Sequence, residues 1–262
     1  MSNIHTTAII EEGAIIGENV TIGPFVTISS QTVIGDNCIV DAHAVIDGKT
    51  TIGKNNHIFS HAVVGSIPQD LKYSGEEVEL IIGDDNKIRE FTLINPGTKG
   101  GGSITRIGNN NLLMGYVHLG HDVIMGNNCI LANSATLAGH VELGDNVVIG
   151  GFTPVHQFVH IGDFAMIAGA SALSQDIPPY CLAEGNRATL RGLNLTGLRR
   201  HIQRDEINAL KIAYRELFES GKALQESAEK ILSETSLESV KNLVEFIMNS
   251  KRGIPYIRKN NG

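Results

Sequence analysis

The 262-residue sequence has no tryptophan, eight phenylalanines, five tyrosines and three cysteines, but it contains 29 glycines. So few aromatic side chains favour narrow, repetitive packing of aliphatic residues over an ordinary globular core. The longest apolar runs fall far short of the about 20 residues that a membrane-spanning helix needs, so integral membrane association is not expected. The opening residues, MSNIHTTAII, show no basic stretch followed by an apolar run, and no signal peptide is predicted there.

The three cysteines (Cys38, Cys129 and Cys181) have no paired spacing of the kind that disulfides or metal sites show. Without a predicted secretion signal, we expect free thiols in a reducing, cytoplasmic location. Cys38 and Cys129 occupy the same small, inward-facing position of the repeat described below, which indicates buried core side chains and not reactive thiols.

The net charge of −7 is unevenly distributed along the chain. From residue 190 onward there are 13 basic and 9 acidic residues, a charge of +4, which leaves a charge of −11 on the preceding part. A basic C-terminal part on an acidic body indicates an acidic partner that docks there, with an ordinary solvated helix surface as the alternative. No nucleic-acid partner is expected.

An aliphatic residue recurs every six positions from Ile4 to Val64, and a second such series runs from Ile107 to Leu173. A period of six fits neither an amphipathic helix nor a stack of simple hairpins. It is typical of a left-handed parallel β-helix, in which each hexapeptide forms one flat side and three of them complete a triangular coil of 18 residues. We therefore predict an all-β left-handed parallel β-helix, a triangular prism, over residues 1–190.

The repeat is interrupted at residues 65–79 and 95–106, which we predict to be loops, and such loops often carry binding residues. The second series ends at residues 176–180, DIPPY, where the prolines break strand pairing. A helical period begins near residue 196. We predict a small C-terminal α-helical domain over residues 191–262, with Ser236 as the N-cap of its third helix.

Five histidines lie among the aliphatic residues of the second series: His118, His121, His140, His156 and His160. With 18 residues per coil, three of them fall on one edge of the prism in successive coils, about one strand spacing apart. Those three are His121, His140 and His156. Asp122 and Gly139 fall on the same edge, and Gly139 lies one coil above His121. A second pair, His43 and His61, also stacks but has no acidic neighbour, so we predict a functional site only at the first column.

Two chemistries suit a column of three imidazoles. One is zinc binding, as in a trimeric β-helical carbonic anhydrase, and the other is general-base catalysis. The sequence has no GxSxG motif and no exposed-looking cysteine with a base at hand, so a covalent acyl-enzyme is unsupported. Direct attack by a substrate group that histidine deprotonates fits better. A non-catalytic scaffold is a third possibility. The two interruptions of the repeat and the column of histidines argue against it.

Segments around the column carry a family resemblance: residues 118–122 (HLGHD), 130–141 (ILANSATLAGHV) and 155–158 (VHQF). Together with residues 69–76 (QDLKYSGE), residues 183–188, Asn194 and the pair Arg199-Arg200, they resemble the acyl-carrier-protein:UDP-N-acetylglucosamine O-acyltransferases that begin lipid A biosynthesis. The resemblance covers essentially the whole chain. It implies transfer of an (R)-3-hydroxyacyl chain from acyl carrier protein to the 3-position of UDP-N-acetylglucosamine.

The resemblance also implies roles for individual residues. His121 corresponds to the general base, Asp122 to the residue that orients it, and the Gly139 N–H to the donor that stabilises the thioester oxyanion. Gly169 corresponds to the position that limits acyl length. The implied substrate-binding residues are Gln69, Asp70, Lys72, His118, His140, His156, Gln157, Asn194 and Arg200. The implied docking residues for acyl carrier protein are Arg199, Arg204, Lys211 and Arg215.

The family further implies a homotrimer with the site between neighbouring prisms. No metal or cofactor of its own is expected, because the phosphopantetheine arm of acyl carrier protein carries the acyl donor. Thr196, in place of an acidic residue, and Asn95-Pro96, in place of a His-Arg-type pair, depart from the family pattern. Because of these two departures, a 3-amino sugar nucleotide remains an alternative acceptor. The related N-acyltransferase of the same pathway usually has an extra N-terminal domain, whereas here the repeat starts at Ile4.

Overall fold

The computed structural model describes residues 2–257, and over this range short, mostly two-residue strands precede four helices. The strands of the first series and its continuation are β1 Asn3–Ile4, β2 Ile9–Ile10, β3 Ile15–Ile16, β4 Thr21–Ile22, β5 Thr27–Ile28, β6 Val33–Ile34, β7 Ile39–Val40, β8 Val45–Ile46, β9 Lys49–Ile52, β10 His57–Ile58, β11 Val63–Val64, β12 Glu79–Ile82, β13 Lys87–Ile88 and β14 Leu93–Ile94. The later strands are β15 Ile104–Ile107, β16 Leu112–Leu113, β17 His118–Leu119, β18 Ile124–Met125, β19 Ile130–Leu131, β20 Thr136–Leu137, β21 Glu142–Leu143, β22 Val148–Ile149, β23 Pro154–Val155, β24 His160–Ile161, β25 Met166–Ile167, β26 Cys181–Glu184 and β27 Thr189–Leu193.

Every third strand along the chain belongs to the same sheet, so three sheets enclose a triangular prism. Sheet I runs from β1 through β4 and β7 to β25, β26 and β27, sheet II from β2 to β23, and sheet III from β3 to β24. The pairing is parallel throughout except for the final hairpin of β26 and β27. Leu119 pairs with Leu137, which pairs with Val155, so equivalent residues stack at the 18-residue interval. The predicted left-handed parallel β-helix is confirmed.

The inward side of each strand carries the periodic aliphatic residue. In β19, Leu131 is fully buried, whereas its neighbour Ile130 is 38% exposed on the outer face. Strands are short because the chain must turn after each side, and it does so through a residue with φ near +60°. Asp122 and His140 hold two of these corner positions, with φ of +61° each. The corners therefore place outward side chains, polar or aromatic, at regular heights along each edge.

Both predicted loops are present, but they end earlier than expected. Strand β12 begins at Glu79 and pairs with β9, so the first loop covers residues 65–78. Strand β15 begins at Ile104 and pairs with β12, so the second loop covers residues 95–103 and contains a 3₁₀ turn at Lys99–Gly101. Each loop leaves the prism and returns in register, because Ile82 pairs with both Ile52 and Ile107.

The helices that follow the prism are α1 Leu195–Leu198, α2 Arg204–Phe218, α3 Leu224–Glu234 and α4 Glu238–Asn249. Strand pairing continues to Leu193. We predicted one continuous helical face from residue 196, but the helix ends with α1 at Leu198 and resumes with α2 at Arg204. The N-cap of α4 is Leu237, which makes no capping hydrogen bond, so the prediction of Ser236 was wrong. Residues 258–262 of the predicted helical domain lie outside the described residues. None of the helices within residues 2–257 is long and apolar enough to cross a membrane.

Buried Asp176 joins the C-terminal segment to the last coils of the prism. Its Oδ1 accepts the His160 N–H at 2.8 Å, and its Oδ2 accepts the Ser250 hydroxyl at 2.6 Å. The Asp176 N–H in turn donates to the Gly253 carbonyl at 3.0 Å. A buried carboxylate with these partners fixes the helices against the top of the prism.

Candidate active site

The candidate site lies on the edge where sheet II turns into sheet III. We call this the histidine edge and define it as residues 120–123, 138–141 and 156–159. His121 and Asp122 follow β17, and His140 follows β20, one coil above. The in-register pairing of β17 with β20 sets the height of these side chains relative to each other.

His121 and Asp122 form a hydrogen-bonded dyad. The His121 Nδ1 lies 2.8 Å from the Asp122 Oδ2. Since a carboxylate can only accept, Nδ1 carries the proton and a neutral His121 has Nε2 free as a base. The Asp122 side chain is 1% exposed and that of His121 is 16% exposed. Asp122 is therefore buried behind an imidazole that a substrate can reach.

The second loop holds the Asp122 carboxylate in place. The Thr98 N–H donates to Oδ1 at 2.8 Å, and the Thr98 hydroxyl donates to Oδ2 at 2.5 Å. The Asp122 N–H donates to the Thr105 hydroxyl oxygen at 2.8 Å. A Cβ added at Gly101 would collide with the Asp122 carboxyl group, so only glycine permits the loop to pass this closely. Sequence reasoning missed Thr98, Thr105 and Gly101; the glycine run at 100–102 was the available signal.

Gly139 faces the His121 imidazole from one coil above. A Cβ at Gly139 would lie 2.5 Å from the His121 Cε1, so a larger residue would push the ring aside. Within residues 2–257 the Gly139 N–H donates to no protein acceptor, although its neighbour His140 donates to the His121 carbonyl at 2.9 Å. A buried N–H without a protein acceptor, beside a reacting group, can stabilise negative charge that develops there.

His140 completes a compact group with the dyad. Its ring packs edge-on against that of His121, with 5.0 Å between centroids, and its Nε2 lies 3.8 Å from the Asp122 Oδ2. On its other side His140 stacks on Phe158, with centroids 4.4 Å apart. Burial lowers the pKa of His140 below its usual range, although the nearby Asp122 charge opposes this effect. His140 is therefore held as a mainly neutral imidazole near pH 7.

The predicted column of three histidines is only partly correct. His156 lies at the right height but two residues before the corner, where it is exposed and its Nδ1 donates to the Gln157 carbonyl at 3.1 Å. The corner position above His140 belongs to Phe158, which has a φ of +64°. Since side chains at corners point along the edge, Phe158 and not His156 stacks on His140. The exposed Gln157 lies beside them.

The two flanking histidines lie on different faces. His118 is on the outer side of sheet II, where its Nδ1 donates to the Leu93 carbonyl at 3.2 Å and burial lowers its pKa. His160 is on sheet III, 3.6 Å from Glu142, and so turns away from the dyad.

His43 and His61 lie on another edge of the prism, between sheets I and II. Their rings stack at 4.9 Å between Phe25 and Phe91, each about 5.0 Å further along the same row. The position of these two histidines is explained by ring stacking between successive coils, and no chemical role is needed.

The first loop forms one wall of a cleft of about 440 Å³ beside His140. Residues from the first loop, the second loop and the histidine edge line the cleft: Asp70, Lys72, Thr98, Lys99, His140 and Phe158. The Asp70 carboxylate accepts the Lys72 N–H at 3.0 Å, which fixes the turn that carries both side chains. The two lysines are balanced by the carboxylates of Asp70 and of Glu76, which also lines the cleft, so the lysines give local positive charge in a lining without net charge. Gln69 is exposed and is not among the lining residues.

The remaining predicted residues do not meet the dyad within one chain. Asn194 is buried and caps α1, accepting the Gly197 N–H at 3.0 Å and donating to the Phe164 carbonyl at 3.0 Å. Arg200 is exposed just after α1, and Gly169 lies on the edge between sheets I and II. Their substrate-binding and acyl-length roles stay predictions. The predicted docking residues Arg199, Arg204 and Arg215 are exposed, and Lys211 is half-buried.

The dyad and His140 are also close enough to be considered as metal ligands, since their ligand atoms lie within 4.8 Å of one another. Both Asp122 oxygens, however, already accept hydrogen bonds from Thr98, and His121 Nδ1 donates its proton to Oδ2. His156, the third imidazole expected for zinc, is not part of the group. The donor set therefore suits a proton-transferring dyad better than a zinc centre.

Two family models match this chain. The model described as Udp N-acetylglucosamine O-acyltransferase, Domain 2, matches residues 176–255, and the bacterial transferase hexapeptide model matches residues 104–139. Among curated proteins, the acyl-[acyl-carrier-protein]–UDP-N-acetylglucosamine O-acyltransferase of Sulfurovum sp. is 75% identical over 99% of this chain and 100% of its own. The enzyme of the same name from Sulfurimonas denitrificans is 73% identical, over 99% of both chains.

Solved structures of similarly described proteins share the fold over nearly the full length. UDP-N-acetylglucosamine acyltransferase from Campylobacter jejuni superposes with a TM-score of 0.95 at 50% identity, covering 98% of this chain and 100% of that one. The enzyme from Francisella novicida gives a TM-score of 0.93 at 37% identity, covering 98% and 95%.

The burial of two imidazoles predicts their titration. His118 and His140 are expected to titrate below the usual value of about 6.5, since burial disfavours their charged forms. Below about pH 6.5 the folded protein then binds fewer protons than the unfolded chain, so these two groups lower the stability as the pH falls through that window. NMR titration of the imidazole C–H signals, assigned with His118→Gln and His140→Gln, measures both values. Values at or above 6.5 would contradict the burial argument.

Proposed function

This chain belongs to the acyl-[acyl-carrier-protein]–UDP-N-acetylglucosamine O-acyltransferases, and we propose that it moves an (R)-3-hydroxyacyl chain from acyl carrier protein to the 3-hydroxyl of UDP-N-acetylglucosamine, the first step of lipid A biosynthesis. The observation that carries the proposal is the dyad of His121 and Asp122 under the unpaired N–H of Gly139. It provides a base and an oxyanion donor on the same side of one edge, which acyl transfer requires.

The proposed reaction has one transfer step. The His121 Nε2 removes the proton of the sugar 3-hydroxyl while that oxygen attacks the thioester carbonyl carbon. Negative charge passes to the carbonyl oxygen, where the Gly139 N–H stabilises it. The carbon–sulfur bond then breaks, and the departing thiolate takes the proton back from His121. Asp122 keeps His121 oriented and stabilises its charged form during the step.

The cysteines support a route without an acyl-enzyme. All three are buried and free, and burial raises the pKa of Cys129 to about 12. Burial also raises the pKa values of Cys38 and Cys181, so none is a ready nucleophile. Free thiols agree with the reducing cytoplasm as the location. No cofactor is needed, since the phosphopantetheine thiol of the carrier is already a good leaving group.

The cleft of the first loop suits the acceptor. Asp70 lines the same cleft as His140 and can accept hydrogen bonds from sugar hydroxyls, while Lys72 and Lys99 supply local positive charge for a diphosphate. The O-acyltransferase names of the relatives favour a 3-hydroxyl over a 3-amino acceptor. The proposed further contacts are His118, on the outer side of sheet II, and the exposed His156 and Gln157 of the histidine edge.

A homotrimer would bring the remaining residues to the dyad. Within one chain, sheet II separates Gly169 from His121, since they lie on different edges. A neighbouring prism, set edge to edge, can supply Gly169, Asn194 and Arg200 to the same site. Glycine at position 169 leaves room for a long acyl chain between the two prisms.

We propose that acyl carrier protein docks on the exposed face of α2. Arg204, Lys211 and Arg215 are spaced by seven and four residues, so they share one side of the helix. Exposed Arg199 adds a fourth positive charge just before it. This basic face complements the acidic surface of the carrier.

Replacement of His121 tests the assignment of the base. His121→Ala is expected to lower kcat for acyl transfer by about 10²–10⁴-fold, since a positioned base contributes that much, while the circular dichroism and oligomeric state stay unchanged. His43→Ala is the matched control, because it removes an imidazole from the stacked row on another edge. Its turnover should remain that of the wild type.

Near-normal turnover of His121→Ala would contradict this assignment. Stoichiometric zinc in the purified, active protein, lost together with activity on chelation, would instead support the metal alternative.

Charge reversal tests the docking face. Lys211→Glu with Arg215→Glu is expected to raise the KM for acyl carrier protein by about tenfold at low salt, with a smaller effect as salt screens the charges. A short acyl-pantetheine thioester lacks the carrier and should react as with the wild type. Lys241→Glu on α4 is the control. It is expected to leave the KM for acyl carrier protein and the reaction with the short thioester unchanged. Equal losses with the carrier and the short thioester would contradict docking on α2.

A further inference from the structure

Asn95 occupies the point where the two loops leave the prism. It lies at the end of β14 and is 1% exposed. Its Nδ2 donates to the carbonyls of Ser66 at 3.0 Å and Ile67 at 3.1 Å, the residues with which the first loop begins. Its own N–H donates to the Leu119 carbonyl at 3.0 Å, in the coil that carries the dyad. Asn95 thus joins the base of the first loop to the dyad's coil.

The residues after Asn95 extend this connection. The Gly97 N–H donates to the Glu79 carbonyl at 3.1 Å, immediately after the first loop ends. Thr98 then holds the Asp122 carboxylate through two hydrogen bonds. The four-residue segment 95–98 therefore contacts the beginning of the first loop, the strand residue that follows it and the acid of the dyad.

Besides Asn95, the start of the first loop is held to the prism by the Gly65 N–H, which donates to the Ile94 carbonyl at 2.9 Å, and its end by Lys49, which donates to Glu77 at 3.0 Å. Between these points its side-chain hydrogen bonds are internal, such as that of the Lys72 N–H to Asp70 and that of the Ser74 N–H to Glu76. The position of Asp70 and Lys72 in the cleft then depends on how firmly the base of the loop is held. Two hydrogen bonds from one buried amide are a strong constraint, because their loss removes the Asn95 donor from two consecutive carbonyls at the base of the loop.

We propose that Asn95 is a positioning residue that holds the first loop over the histidine edge and so sets the affinity for the acceptor. The assignment of an acceptor rests on the proposed function, whereas the anchoring itself does not. Asn95 touches neither the dyad nor the cleft lining directly, so it acts through the loop. Its loss should weaken binding of the sugar nucleotide while the proton transfer at His121 continues.

The test is Asn95→Leu, which keeps the approximate size and removes both donors. Hydrogen–deuterium exchange of the free protein should become faster in residues 66–78 and stay unchanged in residues 113–160. The KM for UDP-N-acetylglucosamine should rise about tenfold, the effect of one or two net hydrogen bonds, with kcat and the KM for acyl carrier protein within about twofold. Asn95→Ala, which cannot overpack the site, serves if the leucine variant does not fold.

Asn56→Leu is the matched control. Asn56 is equally buried, and its amide also donates to two backbone carbonyls, those of Lys54 at 3.1 Å and Gly83 at 2.8 Å, but on another edge. It should lower the unfolding temperature without changing the KM for the sugar nucleotide. Unchanged exchange in residues 66–78 of the Asn95 variant, or a loss of kcat at constant KM, would overturn the proposal. If the wild type transferred no acyl group, the proposed function would fail, and the exchange experiment would still decide the anchoring.

Discussion

In-register parallel hydrogen bonding between successive coils determines where every outward side chain lies. Leu119, Leu137 and Val155 stack in sheet II, so the corner residues three positions later, Asp122, His140 and Phe158, stack as well. A shift of one residue would turn inward side chains outward along the whole strand. The aliphatic core therefore stabilises the fold and also specifies the spacing of side chains along the histidine edge.

The same constraint explains how the prism carries long loops without losing the site. Both loops leave the coil and return in register, since Ile52, Ile82 and Ile107 remain paired. One loop brings Asp70 and Lys72 to the cleft beside the edge, and the other brings Thr98 and a close-packed glycine to the acid of the dyad. The chemistry thus combines a rigid edge with two inserted segments whose bases are joined through Asn95.

Periodicity in the sequence was sufficient to predict the prism, the interruptions and the closeness of His121, Asp122 and Gly139. The same interval places Phe158 18 residues after His140 and 36 after Asp122, so periodicity also indicates Phe158, and the grouping of His156 with the column overlooked its offset of two residues from the corner. Periodicity could not find Thr98 or Thr105, whose contacts with Asp122 depend on the path of a loop. The capping role of Asn194 likewise depends on where α1 begins. The roles of single residues came from the family resemblance and remain proposals.

In the proposed mechanism, acyl transfer occurs directly from the carrier to the sugar, with His121 as the base and no covalent bond to the enzyme. Intact-protein mass spectrometry of a rapidly quenched single turnover distinguishes this route from one through an acyl-enzyme. Acylated UDP-N-acetylglucosamine is expected to form as the acyl carrier is consumed, while the mass of the enzyme stays constant. A transient enzyme species heavier by one hydroxyacyl group, formed and lost at the rate of turnover, would contradict it.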